Sequence, residues 1–231
     1  MVNHMNTIRL RPTDPARDFS ELAALFTSIE DEPTTEMSLI EDYQKHKEQI
    51  FCLDVAEDGA GVLMGFNWAY LDKNQPGRGI FYLIVKPEQR RRGAGSLLYD
   101  DVIRAAREAD LKVLRISLRD SSLESRAFAE RRGFIEKRHQ IAMALDLGAF
   151  DDRPYDAVIT RLQSEGFQFT NMEALGNTEE AQRKLYLLND TTAATTPGTD
   201  GEHSWTSFED FQHSVCQANW YKPEGQIVVI D

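Results

Sequence analysis

Two hydrophobic periods alternate along this chain. "TIRLRP" (residues 7–12) reads as a short strand, stopped by Pro12 and the polar turn after it. "DFSELAALFTSI" then sets Leu22, Leu25, Phe26 and Ile29 on one helical face. "SLIEDYQKHKEQI" reads as a second helix, with Ser38 as its N-cap. "IFCLDVAEDGAGVLMGFNWAYL" reads as two strands around the turn signal Asp58-Gly59. "GIFYLIV" is a continuous apolar run ending near Pro87, the pattern of a central strand covered on both faces. A helix follows from about Ala94 to Asp110, with Leu98, Val102, Ala105 or Ala106, and Ala109 inward. "KVLRISL" is the next strand, and "SLESRAFAERRGF" is a helix closed by Gly133. "IEKRHQIAMALDL" alternates as a last strand. The order is β-α-α-β-β-β-α-β-α-β, which predicts an α/β fold with a mixed, twisted central sheet flanked by helices.

The remainder differs in charge. Residues 1–149 hold 21 basic and 24 acidic side chains, and residues 150–231 hold 5 and 14, so the boundary of two domains is expected there. In the second part "YDAVITRLQSEGF" reads as a helix closed by Gly166, "FQFTN" as a strand and "TEEAQRKLYLLND" as a helix. "TTAATTPGTDGEHS" reads as a loop, "SFEDFQHSVCQA" as a helix capped by Ser207, and "GQIVVI" as a strand. This β-α-α-β order repeats the opening of the first domain, visible in elements more than in residues.

Totals narrow the function. A net charge of −12 argues against a nucleic-acid binder, which needs a basic face, and is compatible with a cationic substrate. No apolar run reaches the roughly 18 residues of a membrane helix, and the start "MVNHMNTIRL" lacks a signal-peptide core. Cys52 and Cys216 lie far apart in apolar and helical patterns, so both are expected as buried thiols in a reducing, cytoplasmic setting. The five histidines are scattered and no Cys-x-x-Cys or His-Glu-x-x-His occurs, so no metal site is expected.

One stretch carries chemistry: Arg90-Arg91-Arg92-Gly93-Ala94-Gly95, between the buried strand and the helix. The first turn of a helix has amides without partners, carrying roughly half an elementary charge at that end. Glycines without Cβ atoms let an anion approach the main chain. The arginines add formal charge, so the stretch suits a diphosphate. A P-loop would need Gly-Lys-Ser/Thr, which is absent. A dinucleotide fingerprint would need glycine where Leu98 stands. The plain alternative is a charged turn whose glycines serve geometry.

The stretch resembles the Gln/Arg-x-x-Gly-x-Gly/Ala signature of the GNAT superfamily of N-acetyltransferases. It follows the strand "FYLIVKP" and opens a helix, and "AFAERRGF" (127–134) resembles the family's second motif. The element order of residues 7–147 matches as well. The resemblance implies that acetyl-CoA is the co-substrate. Its diphosphate would lie on the amides around Arg91, Arg92, Gly93, Ala94, Gly95 and Ser96, with Arg90 beside them. Its pantetheine arm would pair with the backbone of Leu83, Ile84 and Val85. Ser122 and Phe128 would flank the thiol end. The tail resembles the join of tandem GNAT proteins, so residues 1–149 would be the acetyl-CoA-binding domain and 150–231 a partial second copy. That copy lacks its own glycine signature, and the chain is expected to be a fragment of a longer protein. The rival is a natural partial copy that covers the substrate cleft or an oligomer interface.

The family's usual catalytic groups do not carry over. Its tyrosine position is Ala129 here, and its strand-borne glutamate position is Gly79. Asp120, at the end of "ISLRD", and Glu32, in the acidic segment "IEDEPTTE" with Glu30, Asp31 and Glu36, are the candidate bases. Asp120 would otherwise cap the next helix, and the acidic segment would otherwise be a solvated loop. Tyr82 reads as sheet packing. The expected activity is acetyl transfer to the primary amine of a small molecule. The alternative is a non-catalytic acetyl-CoA-binding half of a tandem protein. Neither a nucleic acid nor a membrane is an expected partner, and a homodimer is left open.

Overall fold

The computed structural model describes residues 7–29, 33–73, 75–141, 143–196, 205–218 and 220–231. They form two compact units, 1–129 and 130–231.

In the first unit, β1 (Arg9–Pro12), β2 (Ile50–Glu57), β3 (Leu63–Leu71), β4 (Arg78–Val85) and β5 (Val113–Arg115) make one sheet in that order. Neighbours are antiparallel except β4 and β5, which run parallel. α1 (Pro15–Thr27) and α2 (Glu36–His46) cover one face. Phe19, Leu22 and Phe26 of α1 pack there on Val55, Phe66, Trp68 and Ile84. α3 (Ala94–Glu108) covers the other face, where Ala94 and Leu98 meet Ala56, Met64, Leu83 and Val85. α4 (Leu123–Glu130) follows β5.

Local signals explain most of the boundaries. Asp14 caps α1 by accepting from the Ala16 amide, with Pro15 at the first helical position. α2 begins earlier than expected. Thr35, not Ser38, is its N-cap: Thr35 Oγ1 accepts from Ser38 N at 3.1 Å and Ser38 Oγ accepts from Thr35 N at 3.0 Å. This reciprocal box satisfies two end amides at once, which Ser38 as N-cap would not. The β2–β3 turn closes on Asp58, whose Oδ1 accepts from Ala60 N and Val62 N. Gly61 supplies the left-handed residue there, at φ 80°.

In the second unit, α5 (Asp156–Ser164), β6 (Gln168–Asn171), α6 (Glu179–Thr195), α7 (Phe208–Phe211) and β7 (Ile227–Ile230) appear in that order. β6 and β7 pair antiparallel. Met172, Leu185, Phe208, Phe211 and Tyr221 form the core. The Thr-rich stretch expected as a loop continues α6 to Thr195. Its hydroxyls are satisfied inside the helix: Thr192 Oγ1 donates to Leu188 O and Thr195 Oγ1 to Thr191 O. The rest of that loop, 197–204, lies outside the described residues.

The alternating run 135–147 is not a strand among the described residues. Ile135, Ile141, Met143 and Leu145 are exposed. Alternation marks a strand only where a neighbouring strand takes up its backbone groups, and no described strand pairs with this run. β5 is likewise cut to three residues of the seven expected.

Candidate active site

β4 is the axis of the site. It pairs with β5 only through Arg78↔Val113, Gly79↔Leu114 and Ile80↔Arg115, and runs on alone beyond Ile80 on that side. The two central strands therefore part at Phe81. Lys86 N donates to Met64 O on β3. Backbone groups alternate along a strand, so the amides of Leu83 and Val85 face away from β3, into the opening. The Val85 carbonyl accepts from Arg90 Nε at 3.2 Å. An extended ligand can pair with this free edge as an added strand.

The turn after β4 opens onto α3. Gly93 is the N-cap residue at φ 102°, and Arg91 is left-handed at φ 62°. The amides of residues 91–95 donate to no backbone carbonyl among the described residues. Successive amides in such a bend form a concave anion site at the positive end of a helix. Gly95 sits between Phe128 and Val85, and a Cβ there would lie 3.5 Å from the Phe128 ring. Phe128 stacks edge-on to Tyr99 of α3, with centroids 6.2 Å apart. Arg92 is hydrogen-bonded to Gln89, and Arg90 lies 3.5 Å from Glu124. The turn, the free edge of β4, Gly95 and Phe128 thus come together within one unit. Ser122 is half-buried at the start of α4 and donates to Ser125 Oγ.

The candidate catalytic residues fare differently. Asp120 is exposed and is not among the residues lining the cavity described next. Glu32, with Glu30 and Asp31, lies outside the described residues. Ala129 is buried. Gly79 is closely packed: a Cβ there would meet Leu111 Cδ1 at 2.8 Å and Phe51 Cε1 at 2.9 Å, so no glutamate fits without moving its neighbours.

On the opposite face of β4, under α1 and α2, is a cavity of about 520 Å³. Its floor is aromatic: Phe26, Trp68, Tyr70 and Tyr82 line it. Asp42, His46 and Asp72 add polar groups. His46 Nε2 is 3.9 Å from Asp42 Oδ1, one helical turn away on α2. The Tyr70 and Tyr82 side chains line the same wall of the cavity. Burial first, then Tyr82 and the charges of Asp42 and Asp72, hold the Tyr70 hydroxyl protonated well above its ordinary range. Sequence reasoning took Tyr82 for packing. Its ring does pack edge-on to Phe26, but it also remains 37% exposed to the cavity. The i, i+4 spacing of Asp42 and His46 was the one signal that could have marked this wall in advance.

Comparison with known proteins agrees with this geometry. Residues 16–134 match the model of the acetyltransferase (GNAT) family. Among solved structures, the glucosamine N-acetyltransferase region of a fungal multi-domain GH3 beta-N-acetylglucosaminidase is similar over 97% of this chain and 26% of its own, at 18% identity and TM-score 0.64. An Acinetobacter baylyi acetyltransferase is similar over 58% of this chain and 81% of its own, at 16% identity and TM-score 0.51. A Trypanosoma brucei acetyltransferase is similar over 61% of this chain and its whole own length, at 22% identity and TM-score 0.46. Against curated protein sequences no match is found.

Proposed function

The chain belongs to the acetyltransferase (GNAT) family, and from that premise we propose that it transfers the acetyl group of acetyl-CoA to the primary amine of a small, cationic molecule held in the cavity under α1 and α2. Acetyl transfer from acetyl-CoA is the chemistry of the family. The amine acceptor and the residue roles are our reading. The observation that carries it is the cavity, which backs onto the strand whose free edge suits the pantetheine arm.

Each part follows from the chemistry. The diphosphate rests on the amides of residues 91–95, since the Ser96 amide is taken up by Gly93 O, and the pantetheine arm pairs with Val85. An aromatic floor with Asp42 and Asp72 suits an ammonium group. That ammonium must lose a proton before it attacks the thioester. With a pKa of ~10.4, this costs about 4 kcal/mol near neutrality. His46, beside Asp42, accepts the proton directly or through water, and Tyr82 with Tyr70 relays it. The Leu83 amide, further along the strand from the anion turn, also faces the opening and stabilises the oxyanion. The departing thiolate takes its proton from solvent, because Ala129 has none to give. Asp120 and Glu32 remain the competing bases.

The second unit belongs to the same reading as a partial second GNAT-like domain. Its support is the order β6, α6, α7, β7 with an antiparallel β6–β7 pair, which repeats β1, α1, α2, β2 and the β1–β2 pair. Intact mass of the native product tests whether the chain is a fragment. A cytoplasmic setting rests on its two free thiols. Among the described residues no helix is long and apolar enough to cross a membrane.

The test is release of free thiol from acetyl-CoA over a panel of polyamines, aminoglycosides, amino-acid derivatives and glucosamine. We expect turnover with at least one cationic amine. His46→Ala and Tyr82→Phe should each lower kcat about tenfold to a thousandfold while acetyl-CoA affinity stays unchanged. Loss of turnover in Asp120→Asn instead would move the base to Asp120. Binding of acetyl-CoA without transfer to any amine would sink the reading in favour of a non-catalytic acetyl-CoA-binding half.

A further inference from the structure

On the α3 face of the sheet, away from the cavity, four polar side chains from three elements converge. Cys52 on β2 is 5% exposed, and its Sγ lies 3.2 Å from Asp101 Oδ2, 3.4 Å from Asn67 Oδ1 and 3.6 Å from Asp54 Oδ2. The ligand atoms of Cys52, Asp54 and Asp101 all lie within 4.8 Å of one another. Asn67, fully buried on β3, is oriented by its neighbours. Its Nδ2 donates to Leu98 O at 3.1 Å and to Asp101 Oδ2 at 3.2 Å, and its Oδ1 accepts from Asp54 N at 2.8 Å.

This arrangement is short of protons. A thiol has one hydrogen, and three oxygens face this sulfur. The thiol hydrogen serves one of these oxygens at a time. Two carboxylates, Asp54 and Asp101, also sit together beside the sulfur. A partly buried set so rich in acceptors favours a positive charge among them, beyond that of Arg104 on the outer oxygen of Asp101.

The distances say what fits. A tetrahedral zinc ion bound by one sulfur at about 2.3 Å and oxygens at about 2.0–2.2 Å sets sulfur–oxygen edges of about 3.5 Å. The three edges here are 3.2, 3.4 and 3.6 Å. Charge agrees as well. A thiolate and two carboxylates are balanced by a divalent ion together with Arg104, which holds the other oxygen of Asp101 at 2.5 Å. Arg104 holds Oδ1 and so turns Asp101 Oδ2, which also accepts from Asn67 Nδ2, toward the sulfur, as outer partners of metal ligands do. The Asp101 side chain, 10% exposed, gives the ion a way in.

We propose that Cys52, Asp54, Asn67 and Asp101 form a structural site for a divalent zinc-like cation that ties α3 to β2 and β3. Binding displaces the thiol proton, and any proton the carboxylates share, into solvent. The ion fastens the helix whose first turn carries the anion cradle to the strands beneath it. The site does not depend on which amine is acetylated, or on whether transfer occurs at all.

The test uses the full chain. Zn²⁺ is titrated against a chromophoric chelator, and Co²⁺ is used as a spectroscopic probe. We expect one ion per chain, a raised melting temperature, and the sulfur-to-cobalt charge-transfer band and d–d bands of a tetrahedral site. In Cys216→Ser, Cys52 is the one remaining thiol, and the band should persist. Asp101→Asn and Asp54→Asn should each weaken Zn²⁺ binding at least tenfold, with folding checked by circular dichroism. Absence of the charge-transfer band from Cys216→Ser overturns the proposal without any change to the core. So does Zn²⁺ affinity that is unmoved in both aspartate variants.

Discussion

Arg11 grips Asp18 with two parallel hydrogen bonds of 2.7 Å, and through Nε it also holds Glu57 at 2.8 Å. Asp18 and Glu57 are 3% and 1% exposed. Arg17 adds a 2.6 Å contact to Glu57, so β1, α1 and β2 are bound by one partly buried ion network. Breaking such a network from one side strands charges without partners. Arg11→Ala should therefore lose about 3–5 kcal/mol in urea unfolding. Arg153→Ala, which removes an exposed partner of Asp151, should leave the urea unfolding curve where it is.

The same network predicts acid sensitivity. Burial pushes Asp18 and Glu57 up, but the Arg11 hydrogen bonds and the surrounding arginines outweigh it and hold both carboxyls below their usual range. Stability from such groups is fully present above the unfolded values, near pH ~4. It is lost as pH falls through the depressed folded values. Urea midpoints at pH 7, 5, 4 and 3 should fall steeply only below about pH 4. In Arg11→Ala that last step should shrink.

Asp54 behaves in the opposite sense. Burial and the neighbouring Asp101 raise it to about 6, against the helping charge of Arg104. The folded state then binds a proton more readily than the unfolded chain. Asp54 therefore costs stability above about pH 6, and this cost fades as pH falls toward 4. With a chelator present, Asp54→Asn should raise the unfolding free energy in urea at pH 7.5, by about 1 kcal/mol for a half-buried group, and match the parent near pH 4.

Gly65 lies where β3 meets β4 under the anion turn. A Cβ there would stand 2.4 Å from Ile84 O and 2.9 Å from Val85 Cα, both backbone atoms that cannot step aside. Gly65→Ala should cost at least about 1–3 kcal/mol and should weaken acetyl-CoA binding, because the displaced strand is the one offered to the pantetheine arm. Unchanged thermal unfolding would show that the two strands separate there more easily than their pairing suggests.

Gly95 separates folding from binding. A methyl group at this position meets Phe128 and Val85 at ordinary contact distances of 3.5 and 3.6 Å, so Gly95→Ala should fold normally. Gly95→Glu adds a carboxylate beside the anion cradle and fills the gap between Phe128 and Val85. Calorimetry should show acetyl-CoA binding in the parent and none in Gly95→Glu. Full binding by Gly95→Glu would place the diphosphate elsewhere.

The sequence by itself determined the order of elements, the α/β class and the anion turn. These depend on local rules: apolar spacing selects helix or strand, and glycines and prolines punctuate them. Arg90 to Gly95 was legible because one short stretch carries strand end, left-handed turn and helix start together. The alternating run 135–147 shows the limit, since its pattern is that of a strand and no described strand pairs with it. Thr191 to Thr195 show it from the other side, as hydroxyls that favour loops turn inward on a helix already under way. Only the tertiary structure decided which side chains share a site. His46 and Tyr82 are 36 positions apart in the sequence and line one cavity because α2 lies over β4. Cys52, Asn67 and Asp101 meet because bulges and strand register turn them to the face that α3 covers. Such meetings depend on packing across long separations, which periodicity along the chain does not encode.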